Sequence, residues 1–370
     1  MRVVLTGGGT GGHIYPALAI ARMLRENHPD VQLLYIGTKK GLERELVPRE
    51  QIPFAFIEVE GLRRTLSLRA LKTAWMALTS IVTASRILAR FRPDVVIGTG
   101  GYVVVPVIAA AHLRGMKTGI LELDAHAGLA NRLVYRFADT VMLGMENKAN
   151  TFAKAKHVVL TGNPRASEVA SLPIDAKKLC QDELGLKHDV PIVTIVSGSR
   201  GASPINQTVM AWLEGKSTLP YQVVWITGQV HYDHIMEQFG TDRLCGGMVK
   251  VVSFYHAMPA LLSITSVLVS RAGATTLAEV TALGVPAILI PSPYVTHHHQ
   301  DSNASVLVEK EAAVILAEQD LTPKSLEKQI DGLIKNPFRL EAMAKASRSL
   351  GKTDALQRID REISRLAVMA

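Results

Sequence analysis

The feature that most constrains the fold is a glycine-rich stretch near the N-terminus, Thr6-Gly7-Gly8-Gly9-Thr10-Gly11-Gly12-His13-Ile14-Tyr15-Pro16. It follows the apolar run Val3-Val4-Leu5, which predicts a short buried strand, and it precedes residues 17–24, which predict a helix. Glycines between a strand and a helix let the backbone turn tightly and bring N–H groups close to a ligand. Because a helix N-terminus favours negative charge, the stretch predicts an anion-binding loop.

A dinucleotide site is the first interpretation of such a loop, since it contains Gly-x-Gly-x-x-Gly spacings. Two features argue against it. No acidic residue ends the next predicted strand, residues 31–37, where a ribose ligand is expected. The glycines also end in His13, which adds a titratable group at the loop. The alternative that His13 only packs against the turn stays open.

Length and composition indicate a globular protein of two domains, with 370 residues, 48% hydrophobic and 20% charged. No apolar run reaches the ~18–20 residues of a membrane span, and we expect no signal peptide because a strand begins at once. Cys180 and Cys245 have no spacing typical of a disulfide framework or metal site. The net charge of +8 suggests an anionic partner, which charge alone leaves open among nucleic acid, anionic lipid and a phosphorylated substrate.

Strand and helix patterns alternate along most of the chain, which predicts parallel sheets covered by helices. Glycine turns follow predicted strands again at 98–102, 197–202 and 271–276. The turn cluster at residues 161–164 indicates a hinge between two halves of the same design. The expected fold is therefore α/β, with two doubly wound, Rossmann-like domains facing each other across a cleft lined by the loops at the strands' carboxyl ends.

Residues 61–92 are basic and apolar, with seven Arg or Lys residues and no acidic residue between Glu60 and Asp94. A basic helix with Trp and Leu on one side can lie on an anionic membrane surface. A buried helix with solvated flanking arginines explains the same pattern, so both interpretations remain open.

The second half contains side chains suited to a nucleotide sugar. Ser199 and the turn at 273–276 offer donors to a diphosphate, and the carboxylate of Glu279 could accept from both ribose hydroxyls. Gln300 and Asn303 could bind sugar hydroxyls. Each of these residues also has a structural alternative. Glu279 could be a favourable charge near the N-terminus of its helix, and Gln300 and Asn303 could be polar caps of a helix. The run His297-His298-His299 is a poor metal site because adjacent histidines diverge, so we expect no metal.

The ordered motifs resemble those of the MurG family, the undecaprenyl-diphospho-muramoylpentapeptide β-N-acetylglucosaminyltransferases. The resemblance spans nearly the whole chain. It rests on the stretch 7–17 and on the motifs Gly98-Thr99-Gly100-Gly101-Tyr102, Gly128-Leu129 with Asn131, Gly162-Asn163-Pro164, Gly198-Ser199 with Gly201-Ala202, residues 270–274 with Glu279, and His299-Gln300 with Asn303-Ala304. It implies a GT-B fold in which the last helix returns to the first domain.

The resemblance implies that residues 1–163 with 350–370 bind the acceptor and a membrane, and that residues 164–349 bind the donor. UDP-GlcNAc would be the donor and lipid-linked muramoyl-pentapeptide the acceptor, with no cofactor and no nucleic acid, in peptidoglycan synthesis at the cytoplasmic face of the cell membrane. His13 would take the proton of the acceptor's C4 hydroxyl. The implied donor contacts are Thr10, Gly11, Gly12, Arg165, Ser199, Phe254, Tyr255, Ala274, Thr275, Thr276, Glu279, Gln300 and Asn303, and the implied acceptor contacts are Gly8, Gly9, Gly100, Gly101 and Tyr102.

The sequence departs from the family pattern on the acceptor side. Where the family usually has His-Glu-Gln-Asn, this chain has Leu121-Glu122-Leu123-Asp124, so Asp124 is either a source of repulsion for a diphosphate or a second candidate base. Arg165 comes one residue earlier than the family's arginine, and Arg200 replaces the usual Gln or Leu. A related transferase with another acceptor, and a non-catalytic binding protein on the same scaffold, therefore remain alternatives.

Overall fold

The computed structural model describes residues 1–59, 68–146, 150–196, 201–239, 244–295 and 298–370, with the backbone alone in 68–77. These residues form two compact units, Met1–Ser167 with Thr353–Ala370, and Glu168–Lys352. The chain passes between the units a few residues after position 163, where the turn cluster predicts a hinge, and after position 349, where the resemblance ends the donor-binding part. Each unit is built around one parallel sheet.

The first unit contains a seven-stranded parallel sheet with the order β3-β2-β1-β4-β5-β6-β7. The middle residues of its central strands β1 and β4 are apolar, because helices cover both faces of such a sheet. Leu5 lies in register with Tyr35 on one side and Ile97 on the other. The strands are β1 (Arg2–Thr6), β2 (Gln32–Thr38), β3 (Phe54–Ile57), β4 (Val95–Gly98), β5 (Lys117–Glu122), β6 (Thr140–Leu143) and β7 (Val158–Leu160).

Six helices follow these strands, and the last of them crosses into the second unit. They are α1 (Gly11–Asn27), α2 (Glu43–Arg49), α3 (Leu68–Phe91), α4 (Val104–Leu113), α5 (Leu129–Val134) and α6 (Pro164–Ala170). The sequence pattern predicts the start of α1 at Ala17, but the helix begins at Gly11, so Gly11, Gly12 and His13 form its first turn. This difference places His13 on a helix and not in a loop.

The second unit contains a six-stranded parallel sheet with the order β10-β9-β8-β11-β12-β13. The strands are β8 (Ile192–Val196), β9 (Gln222–Ile226), β10 (Val249–Val252), β11 (Val267–Ser270), β12 (Ala287–Leu289) and β13 (Ala313–Ile315). The helices are α7 (Ala176–Leu184), α8 (Ser203–Leu213), α9 (Gln229–Phe239), α10 (Met258–Ile264), α11 (Ala274–Leu283), α12 (His299–Val308), α13 (Pro323–Ile334) and α14 (Pro337–Leu350).

The last helix, α15 (Ala355–Val368), belongs to the first unit. Its apolar stripe is buried because Ala355, Ile359, Ile363 and Leu366 recur at helical spacing on one face. The Asp360 carboxylate on the same helix accepts a hydrogen bond from the Asn27 amide (2.9 Å) and pairs with the His28 ring (2.8 Å) at the end of α1. None of the helices in the described residues has the length and hydropathy to span a membrane.

In both sheets the order in which the chain adds strands reverses at the first strand. In the first sheet β1 lies between β2 and β4, and in the second β8 lies between β9 and β11. Ligands of open α/β sheets bind at this point, at the carboxyl ends of the strands. The loops that leave β1 and β4 are the first two glycine turns of the sequence, and those that leave β8 and β11 are the last two. The two doubly wound parallel sheets confirm the predicted fold class.

Candidate active site

The two glycine loops of the first unit lie against each other. The N–H of Gly8 donates to the carbonyl of Gly100 (3.2 Å). Gly100 and Gly101 have positive φ angles of 113° and 86°, a region that disfavours L side chains. A Cβ at Gly101 would stand 2.3 Å from the Gly8 carbonyl oxygen. Only glycine at these positions allows the loops to approach this closely.

Side chains from the neighbouring strands hold the first glycine loop at several points. The Tyr35 hydroxyl donates to the Gly7 carbonyl (2.8 Å), and the Thr99 hydroxyl donates to the His13 carbonyl (2.7 Å). The N–H of Gly9 donates to the carboxylate of Glu43 (3.2 Å). The N–H groups of Gly8 and Gly9, which the resemblance assigns to the acceptor, are therefore hydrogen-bonded within the fold.

The first turn of α1 presents the remaining N–H groups of this loop. Those of Gly11 and Gly12 have no acceptor within the helix, because the first four N–H groups of any helix lack one. Thr10 and Gly12 are exposed. Since the helix dipole places positive potential here, this turn can bind the phosphate of a substrate.

His13 lies in the same turn with its ring against Gly100, where a Cβ would approach the His13 Cδ2 atom to 2.7 Å. Its Nδ1 atom is buried and has no hydrogen-bond partner among the described residues. Burial lowers the pKa of His13, and the nearby carboxylates of Asp124 and Glu43 oppose that shift without cancelling it. The imidazole is therefore neutral at ordinary pH and can accept a proton.

The segment that carries Asp124 is held by the buried carboxylate of Glu122 at the end of β5. That carboxylate accepts hydrogen bonds from the N–H groups of Gly128 (2.8 Å) and Asp124 (3.1 Å) and from the Asn131 amide (3.0 Å). Burial, with the charge of Asp124 as a smaller cause, raises the pKa of Glu122 to about 7. Glu122 thus fixes the backbone of the residue whose charge acts on His13.

Tyr102 follows the second glycine loop with 47% of its surface exposed. Arg165, assigned to the donor by resemblance, lies in the first unit, where its N–H donates to the Asn163 side chain (3.0 Å) at the start of α6. The structure therefore places in the first unit both the glycine loops and four of the residues assigned to the donor, which are Thr10, Gly11, Gly12 and Arg165.

In the second unit, the turn after β11 leads into helix α11, and there is open space beside its N-cap residue, Gly273. Gly273 caps the helix, and a Cβ built on it would meet no atom within 4 Å. Ala274, Thr275 and Thr276 form the first turn, whose N–H groups lack intrahelical acceptors. Glu279 lies further along the helix, 8% exposed. Ser199 and Arg200 in the loop after β8 lie outside the described residues.

Gln300 and Asn303 stand on helix α12 and hold the loops beside this turn. The Asn303 amide, which is fully buried, donates to the Ala272 carbonyl (3.1 Å). The side-chain oxygen of Gln300 accepts from the N–H of Ser292 (2.9 Å). Both side chains bind the backbone of neighbouring loops and neither caps helix α12, which differs from the polar cap of the structural alternative. The amide NH₂ is the remaining hydrogen-bonding group of Gln300.

Phe254 and Tyr255 follow strand β10 and differ in exposure. Phe254 is 48% exposed and contacts the ring of His256 with a centroid distance of 4.8 Å. Tyr255 is buried, and its hydroxyl donates to Glu183 (2.9 Å). The Phe254 ring is therefore available for stacking, while Tyr255 is anchored by its side chain.

Comparison with known proteins assigns the chain to a family. Residues 3–143 match the family model of the glycosyltransferase family 28 N-terminal domain, and residues 192–359 match that of its C-terminal domain. The UDP-N-acetylglucosamine–N-acetylmuramyl-(pentapeptide) pyrophosphoryl-undecaprenol N-acetylglucosamine transferase of Bacillus subtilis (strain 168) is 44% identical over 359 residues, 97% of this chain and 98% of that protein. The transferase of the same name from Bacillus licheniformis is 46% identical over 97% of each chain.

The chain belongs to the MurG family. The crystal structure of Acinetobacter baumannii MurG superposes with a TM-score of 0.79 at 28% identity, covering 98% of this chain and 99% of that one. Staphylococcus aureus MnaA in complex with UDP superposes with a TM-score of 0.70 at 15% identity, which shows a shared fold alone. Membership of the MurG family confirms the resemblance drawn from the motifs and identifies the chain as a glycosyltransferase.

Sequence reasoning missed Glu43 as a site residue and noted Glu122 only as a match to the family pattern. The one signal for each is its position near the carboxyl end of a strand, since Glu122 is the last residue of β5 and Glu43 follows β2 by five residues. Their burial and their backbone partners depend on tertiary packing. Among the described residues no three His, Cys, Asp or Glu side chains form a metal-binding group.

Proposed function

We propose that the chain transfers N-acetylglucosamine from UDP-GlcNAc to lipid-linked muramoyl-pentapeptide, the step of peptidoglycan synthesis on which cell shape and division depend. The observation that carries the proposal is 44% identity over 97% of the chain to a transferase of that name. This name favours the lipid-linked acceptor over the alternative of a related transferase with another acceptor. The neutral imidazole of His13, whose Nδ1 atom has no hydrogen-bond partner among the described residues, favours an enzyme over a non-catalytic binding protein.

The reaction displaces UDP from the anomeric carbon of the sugar by the C4 hydroxyl of the acceptor. His13 accepts the hydroxyl proton as that oxygen attacks, and a neutral imidazole has one ring nitrogen free to do so. A single displacement inverts the anomeric centre, so a β-linkage forms without a covalent intermediate. Asp124, whose charge acts on His13, stabilises the imidazolium that results.

The second unit would hold the donor. The first turn of α11, residues 274–276, meets the diphosphate with its N–H groups and stabilises the charge that develops on the leaving UDP. Glu279 accepts from the ribose hydroxyls, the backbone of Tyr255 binds uracil beside the Phe254 ring, and the amide NH₂ of Gln300 donates to the sugar. Ser199 and Asn303 complete the set assigned by resemblance. In the first unit, the first turn of α1 binds a phosphate group of a substrate.

The acceptor's lipid requires contact with a membrane, and helix α3 offers a surface for it. Leu78 and Val82 are 59% and 49% exposed, and Arg86 and Arg90 continue the same row at a spacing of four residues. Apolar and cationic side chains in one exposed row suit the surface of an anionic bilayer. Residues 61–67, which begin the basic stretch of the sequence, lie outside the described residues.

The end of helix α4 extends this surface. Arg114 donates to the Ser85 hydroxyl of α3 (2.7 Å), which holds the end of α4 against α3, and the neighbouring Leu113 is 76% exposed. We therefore expect the first unit to bind the cytoplasmic face of the cell membrane peripherally.

The experiment that tests the proposal measures transfer of radiolabelled GlcNAc from UDP-GlcNAc to a lipid-linked muramoyl-pentapeptide analogue. We expect His13→Ala to lower the rate by roughly 10²–10⁴-fold, the usual contribution of a general base. Stabilisation of the variant by UDP should persist, because the second unit holds the nucleotide. His188→Ala, at an exposed position of the second unit, is the matched control. Full transfer by His13→Ala would refute the assigned base.

A further inference from the structure

Glu43 is a buried carboxylate that the mechanism above does not use. It begins helix α2, and none of its surface is exposed. Its neighbour Glu45, two residues later on the same helix, is exposed. Burying an ionised carboxylate is unfavourable unless it is well hydrogen-bonded, so the contacts of Glu43 define what it does.

The two oxygens of Glu43 bind different segments of the chain. Oε1 accepts from the N–H of Thr38 (3.0 Å) and from the Thr38 hydroxyl (2.6 Å), both at the end of β2. Oε2 accepts from the N–H of Gly9 (3.2 Å), in the loop between β1 and α1. One carboxylate therefore ties the end of β2 to the glycine loop that leads into His13.

Three glycines make the space that the carboxylate occupies. A Cβ at Gly8 would lie 2.5 Å from Oε1, one at Gly41 would lie 2.0 Å from Oε2, and one at Gly37 would lie 2.7 Å from Cγ. Side chains at any of these positions would displace Glu43. The glycine loop is thus packed around the Glu43 carboxylate on one side. The N–H groups in the first turn of α1, where Thr10 and Gly12 are exposed, can bind a substrate.

We propose that Glu43 is a positioning residue for the transfer reaction, which acts by anchoring the N–H of Gly9 so that His13 and the first turn of α1 meet the acceptor. The inference rests on the proposed function, because it deepens the role of the same loop. Glu43 touches no reacting atom. Its positioning effect passes through the backbone of residues 9–13, which the Thr99 hydroxyl holds at the other end through the His13 carbonyl. This effect is separate from that of its charge, which raises the pKa of His13.

Glu43→Gln tests this role with little change of volume. Its single oxygen keeps both Thr38 donors when it faces them, which turns the amide NH₂ toward the N–H of Gly9. Two donors then face each other, so the Gly9 anchor is lost while the side chain still fills its space. Glu45→Gln removes the same charge from an exposed position of the same helix and is the matched control.

Two measurements are made on the full chain. Hydrogen–deuterium exchange should become roughly ten- to a hundredfold faster in the segment 7–13 of Glu43→Gln, as expected for loss of one hydrogen bond to a charged group. The value of kcat/KM for the lipid-linked acceptor should fall by a similar factor, while the affinity for UDP stays unchanged. Glu45→Gln should match the wild type in both.

Unchanged exchange in the segment 7–13, or faster exchange without a loss of kcat/KM for the acceptor, would overturn the proposal. A loss of UDP affinity as large as the loss of kcat/KM for the acceptor would also overturn it, since the effect would then not be specific to the acceptor. If Glu43→Gln does not fold, Thr38→Val keeps Glu43 and removes the hydroxyl that donates to Oε1 and accepts from the N–H of Gly41 (3.2 Å), and it should give the same changes to a smaller extent. Absence of transfer by the wild type would instead refute the proposed function, and the positioning role with it.

Discussion

Replacing Gly101 by alanine tests the contact between the two glycine loops of the first unit. Two effects combine in Gly101→Ala. An L side chain at a φ of 86° is strained, and its Cβ would lie 2.3 Å from the Gly8 carbonyl oxygen. Gly115→Ala is the matched control in the same unit, because Gly115 has a φ of 69° but a Cβ there meets nothing within 4 Å. The control carries the backbone strain without the clash.

The backbone strain costs about 1–2 kcal/mol in both variants. The clash adds about 1–3 kcal/mol in Gly101→Ala alone, the usual cost of overpacking, because the atom to be displaced is backbone. For a unit of this size, 1 kcal/mol lowers Tm by roughly 2–4 °C, so Gly101→Ala should melt roughly 2–12 °C below Gly115→Ala. It should also lose transfer activity, since relief of the clash moves the loop that leads into His13.

Thermal unfolding of the full chain followed by circular dichroism, together with the transfer assay, measures both effects. Equal melting temperatures of the two alanine variants would show that the loops are not in contact at Gly8. A lower melting temperature with full activity would show that the loop contact stabilises the fold without positioning His13.

Three further predictions concern charge and surface. Asp124→Asn removes a carboxylate that raises the pKa of His13, so the acid limb of the pH profile of kcat/KM should move to lower pH; an unmoved limb would contradict this. Burial raises the pKa of Glu122 from 4.5 to about 7, so the folded state binds more protons and stability should fall by about 3 kcal/mol as pH rises across that window. Melting curves at both ends of the window should show no such fall in Glu122→Gln. Leu113→Ser should weaken binding to anionic phospholipid vesicles roughly five- to tenfold in a sedimentation assay, whereas Leu179→Ser, at an exposed position of the second unit, should not.

The inner strands and the glycine loops can be predicted from the sequence because each depends on residues that are adjacent in the chain. Val3-Val4-Leu5 is apolar on both faces, as a central parallel strand must be, and glycines mark the turn that follows it. The short strand Ala313–Ile315 is missed by the sequence analysis, although it lies within the apolar run 312–317. The order of strands is also beyond a single sequence, since the placement of β1 between β2 and β4 depends on contacts between distant segments.

In the candidate site, too, some features follow from adjacent residues and others depend on contacts between distant segments. His13 and the helix turn at 273–276 were found from residue type and spacing, whereas Glu43 and Glu45 look alike in the sequence. Only packing shows that Glu43 is buried and Glu45 exposed. The use of the Gly9 N–H by Glu43, which removes that group from the acceptor, is likewise a tertiary contact. Local pattern therefore locates the loops, and tertiary packing decides which of their groups face a substrate.

The most direct test of the central claim is the stoichiometry of transfer by the wild-type chain. UDP release and the mass of the lipid-linked muramoyl-pentapeptide are followed in one reaction with UDP-GlcNAc. We predict that each UDP released is matched by one N-acetylhexosamine added to the acceptor, and that UDP release without the acceptor is slow. UDP released together with free GlcNAc and an unchanged acceptor would contradict the assignment of this acceptor.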